Sequence, residues 1–191
     1  AVRGLMASHA EVQAALDTFA ASEQPGELNE VLIKPIHEIA RTGIVSYKWG
    51  SLSFVLVHRL RDVLRDSPPP KEGEVASYQQ GEGTWEESCA SVCSMLHSLD
   101  GPPFTVQRLC ELLAKPTQHH RSRLKLLSAV DKLVSVSTLS PTYSPEEAVV
   151  ILEQAEKRVA EERARAEAEL ALRREQQQQA LAAAAAAAGG G

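Results

Sequence analysis

Three side chains that can bind a soft metal ion share one predicted helix. Cys89, Cys93 and His97 are spaced four residues apart and so fall on one helical face, and Cys110 could supply a fourth ligand. A zinc site needs its ligand atoms about 2.0–2.3 Å from one point, whereas three such helical positions extend over about 12 Å. Because free cysteine usually packs as a small hydrophobe, the pattern favours buried structural cysteines. The sequence predicts no metal and no cofactor.

Catalysis and nucleotide binding lack the local motifs that would support them. The sequence contains no G-x-S-x-G around a serine nucleophile, and neither G-x-x-x-x-G-K-[S/T] nor G-x-G-x-x-G as a phosphate-binding loop. A pair of histidines, His119 and His120, precedes three basic residues, which are Arg121, Arg123 and Lys125. Such a stretch could bind a phosphate, but a short basic helix start is more often solvated. The sequence therefore predicts that the protein is not an enzyme.

The composition is that of an acidic chain with a modest core. The 191 residues carry a formal net charge of −5, and only 4% of them are aromatic. Neither half of the chain is a basic nucleic-acid surface overall. Three cysteines, no secretory signal and no long apolar run predict a reducing compartment and no membrane segment. The first residue is Ala1 and not Met, which indicates processing, trimming or a fragment.

Apolar periodicity predicts about six helices before residue 144. Capping boxes, in which Ser or Thr is followed three residues later by Glu, begin the first helix at Ser8 and the fourth at Thr84. The second helix contains Pro35, which implies a kink or a restart, and Gly43 is its predicted C-cap. A third and very apolar helix is predicted from about Tyr47 to Arg65.

The segment from Pro102 to Pro116 predicts a buried helix, which a second helix and a strand follow. Thr105 is placed to cap the first helix with its hydroxyl, and Pro116 ends the apolar stripe. The next helix is predicted from about Arg121, and the alternation in V-S-V-S-T-L, from Val134 to Leu139, predicts a short strand. The order helix, helix, strand is that of a winged helix.

The last quarter of the chain changes from core-forming to solvated sequence. Ser144, Pro145 and Glu147 make a strong helix start. Further on, ion pairs spaced i, i+4, such as Glu169 with Arg173, replace the apolar stripe. The predicted domains are residues 1–26 as an N-terminal helix, 27–143 as a helical domain with a flexible surface loop at 67–83, 144–180 as a long charged helix, and 181–191 as a low-complexity tail.

Several segments of the chain match one protein family in sequence and in order. They are P-F-T-V-Q-R-L-C-E-L-L-A-K-P with the helix and strand after it, V-L-I-K-P-I-H-E-I-A-R-T-G-I-V-S-Y-K-W-G with the helix after it, and T-W-E-E-S-C-A-S-V-C-S-M-L. Together, over about residues 28–139, they resemble the protein phosphatase 4 regulatory subunit 2 family. The resemblance implies a non-catalytic subunit that binds the catalytic subunit of protein phosphatase 4. With a further regulatory subunit, it would help to direct that activity to substrates in the nucleus and cytoplasm.

Two other classes of protein remain open from the residues alone. In a winged-helix nucleic-acid-binding protein, the helix from Ser122 to Lys132 would read a major groove. That helix carries Arg123, Lys125 and Lys132 but also Asp131. Because the domain is slightly acidic, the charge balance favours a scaffold over a DNA reader, and nucleic acid is not the expected partner. A coiled-coil adaptor that uses the last helix is a third possibility, although a sustained heptad is absent.

The break between the second and third helices is the predicted centre of partner binding. Trp49 lies beside Tyr47 at a helix start, where it could anchor a partner, although the pattern favours a core Trp. Loops between rigid helices commonly carry function. The predicted partner-binding residues are Arg41, Thr42, Tyr47, Lys48, Trp49, Arg121, Arg123 and Lys125.

Overall fold

The computed structural model describes residues 8–66, 84–119 and 122–188. Within these ranges the chain is mainly helical, with eight helices and no strand, so the predicted mainly helical class is confirmed. The predicted loop at 67–83 lies outside the described residues. The chain divides into two compact units, residues 1–148 and 149–191. The finer domain boundaries predicted from the sequence stay predictions.

Seven helices lie in the first unit, and an eighth begins at its end. The seven are α1 (His9–Ala21), α2 (Glu30–Thr42), α3 (Trp49–Asp66), α4 (Trp85–Ser98), α5 (Val106–Ala114), α6 (Pro116–His119) and α7 (Arg123–Val134), and the eighth is α8 (Pro145–Ala188). Pro35 lies inside α2, which continues past it without a restart. Among the described residues, no helix is both long enough and apolar enough to span a membrane.

The helix ends follow the capping signals of the sequence. The Ser8 hydroxyl accepts the Glu11 N–H at 3.3 Å, while the Glu11 carboxylate accepts the Ser8 N–H at 2.6 Å. Thr84 and Glu87 make the same reciprocal pair at 3.2 and 2.7 Å. Gly43 ends α2 in the left-handed region, with φ 72°, and its N–H donates to the last turn of the helix. Both capping boxes and the glycine C-cap are therefore confirmed.

The prediction that Thr105 caps α5 with its hydroxyl is wrong. Thr105 precedes α5, but its side chain makes no capping hydrogen bond. Its backbone, at φ −85° and ψ 4°, is not in the extended conformation that a capping side chain usually requires. The hydroxyl instead donates to the carbonyl oxygen of Leu133 at 2.6 Å. Thr105 thus joins the start of α5 to the end of α7.

The strand predicted from Val134 to Leu139 is not formed. Val134 is the last residue of α7, and Leu139 makes a single isolated antiparallel bridge with Pro103. Pro102 and Pro103 have no N–H to donate, so a ladder cannot extend along this segment. Two hydrogen bonds flank the bridge: the Phe104 N–H donates to Thr138 O at 3.0 Å, and the Ser140 N–H donates to Pro102 O at 2.7 Å. The winged-helix-like arrangement stays a prediction.

α3 is the central helix of the first unit. It packs against α1, α2, α4, α5 and α7, while α2 and α5 also pack closely on each other. The fully buried large side chains are almost all leucine, with two isoleucines: Leu16, Ile36, Ile39, Leu52, Leu56, Leu60, Leu96, Leu109, Leu112, Leu113, Leu126 and Leu127. Burial of these aliphatic side chains, each worth about 1.5–3 kcal/mol, holds the helices around α3.

The second unit contains the polar part of α8. Its described side chains are mostly exposed. The predicted pair of Glu169 and Arg173 is formed, with 2.7 Å between Arg173 Nη2 and Glu169 Oε1. An exposed pair of this kind contributes little to stability.

Candidate partner-binding site

Five of the eight predicted partner-binding residues lie at the end of α2 and in the segment that leads into α3. We call residues 41–49 the α2–α3 junction. Arg41 is exposed in the last turn of α2. The Thr42 hydroxyl donates to the carbonyl oxygen of Glu38 at 2.7 Å and accepts the N–H of Ile44 at 3.2 Å. Thr42 therefore shapes the backbone where α2 ends.

Tyr47 is buried in this junction, with only 4% of its surface exposed. Its hydroxyl donates to Glu38 Oε2 at 2.6 Å, and its ring stacks on His9 of α1 with 4.5 Å between ring centroids. Burial and the neighbouring Glu38 carboxylate raise the pKa of the Tyr47 phenol. His9 Nε2 in turn lies 2.9 Å from the carbonyl oxygen of Ser46. Tyr47 thus ties α1 and α2 to the junction.

Trp49 is a core residue, the arrangement that the sequence favoured. Only 8% of its surface is exposed, and its indole Nε1 donates to the carbonyl oxygen of Leu99 at 2.8 Å. This hydrogen bond joins the start of α3 to the residue that follows α4. Trp49 consequently offers a partner almost no surface in this conformation.

Lys48, by contrast, is exposed, although its ammonium group is paired. Lys48 Nζ lies 3.0 Å from Asp17 Oδ2, and the Lys48 N–H donates to Gln13 Oε1 at 2.9 Å. Asp17 also accepts hydrogen bonds from Ser51 Oγ and from Gln13 Nε2. The hydrogen bonds from Ser51 and Lys48 lower the pKa of Asp17. This polar cluster connects α1 to the start of α3.

A second feature of the surface is a groove formed by residues of α3, α4 and α7. We call it the α3–α4 groove, and its volume is about 350 Å³. Arg123, one of the predicted partner-binding residues, contributes to its wall from α7. The other polar and aromatic side chains that line it are Arg61, Arg65, Trp85, Glu86, Cys89 and Cys93.

The groove combines guanidinium groups with an apolar surface. Arg65 is paired with Asp62 at 3.0 Å and with Asp66 at 3.2 Å. Arg61 is exposed and lies within hydrogen-bond reach of the Cys93 thiol, and among the described residues no carboxylate lies within salt-bridge distance of it. The indole of Trp85 is half-buried and packs against the core. The groove therefore presents cationic groups beside an aromatic ring.

The cysteine side chains are packed as thiols. Cys93 and Cys110 are buried, and burial raises the pKa of both. Cys89 is half-buried, and burial with the neighbouring Cys93 raises its pKa to about 11. Among the described residues, no group of three or more His, Cys, Asp or Glu side chains is arranged to hold a metal ion. The raised pKa values disfavour the thiolate, which is the nucleophilic form of cysteine.

The remaining predicted residues fall in or near α7. Lys125 is exposed on α7, and Arg121 lies outside the described residues. Neither Arg61 nor Trp85 is among the residues predicted to bind a partner. Arg61 and Arg65 are spaced i, i+4, so their common face on α3 could have been read from the sequence. Trp85 is the first residue of α4, and its side chain is only partly covered.

Comparison with known proteins identifies the family. The family model PPP4R2 matches residues 12–182. The Drosophila melanogaster serine/threonine-protein phosphatase 4 regulatory subunit 2 is 31% identical over 138 residues, which are 69% of this chain and 22% of the fly protein. The Danio rerio regulatory subunit 2-A is 28% identical over 137 residues, 69% of this chain and 33% of the fish protein. The Homo sapiens regulatory subunit 2 is 27% identical over 114 residues, 58% of this chain and 27% of the human protein.

The matched region is therefore a third or less of the length of these relatives. No solved structure matches the chain. The family match includes the α2–α3 junction and every described residue that lines the α3–α4 groove. The chain belongs to the PPP4R2 family, as its resemblance over residues 28–139 predicted.

Proposed function

We propose that this protein is a non-catalytic regulatory subunit of protein phosphatase 4. The observation that carries the proposal is the family match over residues 12–182, together with relatives that are named regulatory subunit 2 of this phosphatase. In this proposal the chain binds the catalytic subunit and a further regulatory subunit, and it acts in the nucleus and cytoplasm.

Such a subunit works by binding and positioning. A chain that holds the phosphatase and a substrate together raises their effective concentration without any chemistry of its own. The buried, protonated thiols of Cys93 and Cys110 fit this role, because a nucleophilic cysteine needs an accessible thiolate. The packed helices of the first unit supply a surface for such contacts.

The predicted contact residues have different roles in this proposal. Arg41, Lys48 and Lys125 are exposed and can meet a partner directly. Tyr47 and Trp49 are buried, so we expect them to hold the junction in shape and not to touch the partner. Substitution of Tyr47 or Trp49 should therefore weaken partner binding only to the extent that it destabilises the folded protein.

Affinity capture of the full chain tests the proposal. The tagged protein is expressed in cells, captured, and the bound proteins are identified by mass spectrometry. We expect the catalytic subunit of protein phosphatase 4 and a further regulatory subunit. A core variant, Leu56→Ala, is the matched control, because loss of a fully buried leucine costs about 2–5 kcal/mol and should reduce specific capture.

Two results would contradict the proposal. One is capture of no phosphatase catalytic subunit by the folded protein. The other is tight binding to duplex DNA that weakens steeply with salt, which is the signature of a nucleic-acid-binding protein.

A further inference from the structure

The α3–α4 groove has the size and the residue types of a binding hot spot. Its volume of about 350 Å³ is within the range of cavities that hold ligands or large side chains. Trp and Arg are the residues most enriched where binding energy concentrates in interfaces. Here the half-buried ring of Trp85 lies with Leu64 and Ala90 in the same lining. An apolar side chain that enters the groove would therefore be removed from water on several sides.

The charges around this apolar surface select an acidic occupant. Among the residues that the structure describes, Arg61, Arg65 and Arg123 line the groove with one acidic side chain, Glu86. Asp62 and Asp66 already compensate Arg65, which leaves Arg61 as the exposed cation best placed for a new carboxylate. A guanidinium can bind a carboxylate through two parallel hydrogen bonds. This basic local surface lies on a chain whose net charge is −5.

The same charges argue against nucleic acid as the occupant. A polyphosphate backbone needs an extended basic surface, with several phosphates neutralised together. Glu86 interrupts the basic lining, and paired carboxylates accompany Arg65. A short protein segment needs only one or two carboxylates next to an apolar side chain, which is what the groove can accommodate.

From this geometry we infer that the α3–α4 groove docks an acidic segment of the phosphatase catalytic subunit, with one apolar side chain inserted against Trp85. The inference rests on the proposed function for the identity of the partner. Arg61 would pair with a carboxylate of that segment, and Trp85 would cover the inserted side chain. The inference extends the site beyond the α2–α3 junction, to residues of α3 and α4 that had no assigned role.

Two variants of the full chain test the two halves of the inference. Arg61→Glu reverses the exposed charge, and Trp85→Ala removes the apolar surface. Lys132→Glu is the matched control, because it makes the same change of charge at an exposed position of α7 outside the groove lining. Affinity for the purified catalytic subunit is measured by calorimetry at low and at moderate salt, and circular dichroism verifies that each variant is folded.

We expect at least tenfold weaker binding for Arg61→Glu and for Trp85→Ala, and a change of less than twofold for Lys132→Glu. Higher salt should weaken the binding of the unsubstituted protein to the catalytic subunit, because exposed charges are screened. The difference in affinity between the unsubstituted protein and Arg61→Glu should therefore become smaller. The effect of Trp85→Ala should depend little on salt. If Trp85→Ala loses its fold, Arg61→Glu decides the question, because Arg61 is exposed and its substitution leaves the core intact.

The outcomes separate this inference from the proposed function. Full affinity of both groove variants would overturn the inference while the proposed function stands. Equal weakening by Lys132→Glu would also overturn it, because the attraction would then be unspecific. Failure of the unsubstituted, folded protein to bind the catalytic subunit would overturn both. Duplex binding that Arg61→Glu abolishes would replace the acidic segment with nucleic acid and so overturn the inference as well.

Discussion

The α2–α3 junction and the α3–α4 groove contain the same kinds of residues and use them differently. Each has a tryptophan at the first position of a helix, Trp49 in the junction and Trp85 at the groove, with a basic residue near it. The junction directs its tryptophan inward, and Trp49 Nε1 donates to Leu99 O at 2.8 Å. Trp85 remains partly exposed. Residue type alone therefore does not distinguish a structural tryptophan from one available to a partner.

The difference comes from how completely each region satisfies its polar groups. In the junction, the Tyr47 hydroxyl donates to the Glu38 carboxylate, and the Thr42 hydroxyl donates to the Glu38 carbonyl oxygen. The Lys48 ammonium group pairs with Asp17. Polar groups that already have partners gain little from a new one, because binding would exchange one hydrogen bond for another. At the groove, Arg61 lies beside the neutral Cys93 thiol, and its charge stays exposed without a carboxylate among the described residues. The junction therefore has few polar groups left for a partner, whereas the groove keeps the exposed cation that the proposed contact requires.

The largest expected effect separates the two tryptophans directly. Trp49→Ala should lower the free energy of unfolding by about 3–5 kcal/mol, because it empties a core position and removes a buried hydrogen bond. Trp85→Ala should cost about 1–2 kcal/mol, since only part of that ring is covered. Urea denaturation followed by far-ultraviolet circular dichroism measures both. Equal losses of unfolding free energy would show that the two tryptophans have the same structural role, which would contradict the distinction drawn between the junction and the groove.

A smaller effect is expected at the glycine that ends α2. Gly43 has φ 72°, and a Cβ atom there would lie 2.9 Å from Gln107 Oε1. Gly43→Ala should therefore cost about 2 kcal/mol, mostly from the left-handed backbone that an L-residue resists. Thermal unfolding measures the change.

The Gln107→Ala background separates the two causes at this position. In that background, Gly43→Ala should keep the backbone part of its cost and lose the part due to contact with the Gln107 side chain. A Gly43→Ala variant as stable as the unsubstituted protein would contradict the assignment of this glycine as an obligatory helix end.

Tyr47→Phe should cost about 1 kcal/mol at neutral pH, because Glu38 loses a hydrogen-bond donor but can recover water. The folded protein raises the pKa of Tyr47 above its unfolded value of about 10. The stabilisation is therefore fully present below pH 10 and is lost as the pH rises through the folded pKa. Unfolding free energies measured from pH 7 to pH 11 should show the gap between the two proteins closing above pH 10. If the unfolding free energy of the unsubstituted protein instead rose further above that of Tyr47→Phe beyond pH 10, the pKa of Tyr47 would not be raised in the folded protein.

The elements that local sequence determines were predictable. The capping boxes at Ser8 and Thr84 and the C-cap at Gly43 depend on residues within one turn, so their patterns predicted the helix ends correctly. The very apolar third helix predicted from the sequence is likewise present as α3, which packs against five other helices. In these cases local preference and tertiary packing agree.

Predictions that depended on distant partners were less successful. The Thr105 hydroxyl could cap its own helix, but Leu133, 28 residues away, provides its acceptor instead. The strand at residues 134–139 would have needed a partner with backbone N–H groups, and the segment that faces it contains Pro102 and Pro103. The groove joins three helices, so its composition follows from the packing and from no single segment. Arg61 could be recognised as a groove residue only after α3, α4 and α7 were in place.

The smallest expected effect concerns the polar cluster around Asp17, which decides how much the charged part of the junction contributes. The hydrogen bonds from Ser51 and from Lys48 lower the pKa of Asp17 in the folded protein. This stabilisation is present above the unfolded pKa, about 3.9, and disappears as the pH falls through the lower folded value. Asp17→Asn should therefore be slightly less stable than the unsubstituted protein at pH 7 and equally stable near pH 2, as measured by urea denaturation at each pH.

Two further variants identify which donor matters at Asp17. Ser51 makes the larger contribution to the lowered pKa, and the Lys48 ammonium is mostly exposed to solvent, which screens its attraction. Ser51→Ala should consequently reduce the pH dependence of stability more than Lys48→Ala does. If the order is reversed, or if the effect of Lys48→Ala survives in high salt, the ion pair is a stronger part of the junction than its exposure indicates. The contrast between a junction held mainly by buried contacts and a groove with an exposed cation at Arg61 would then be smaller.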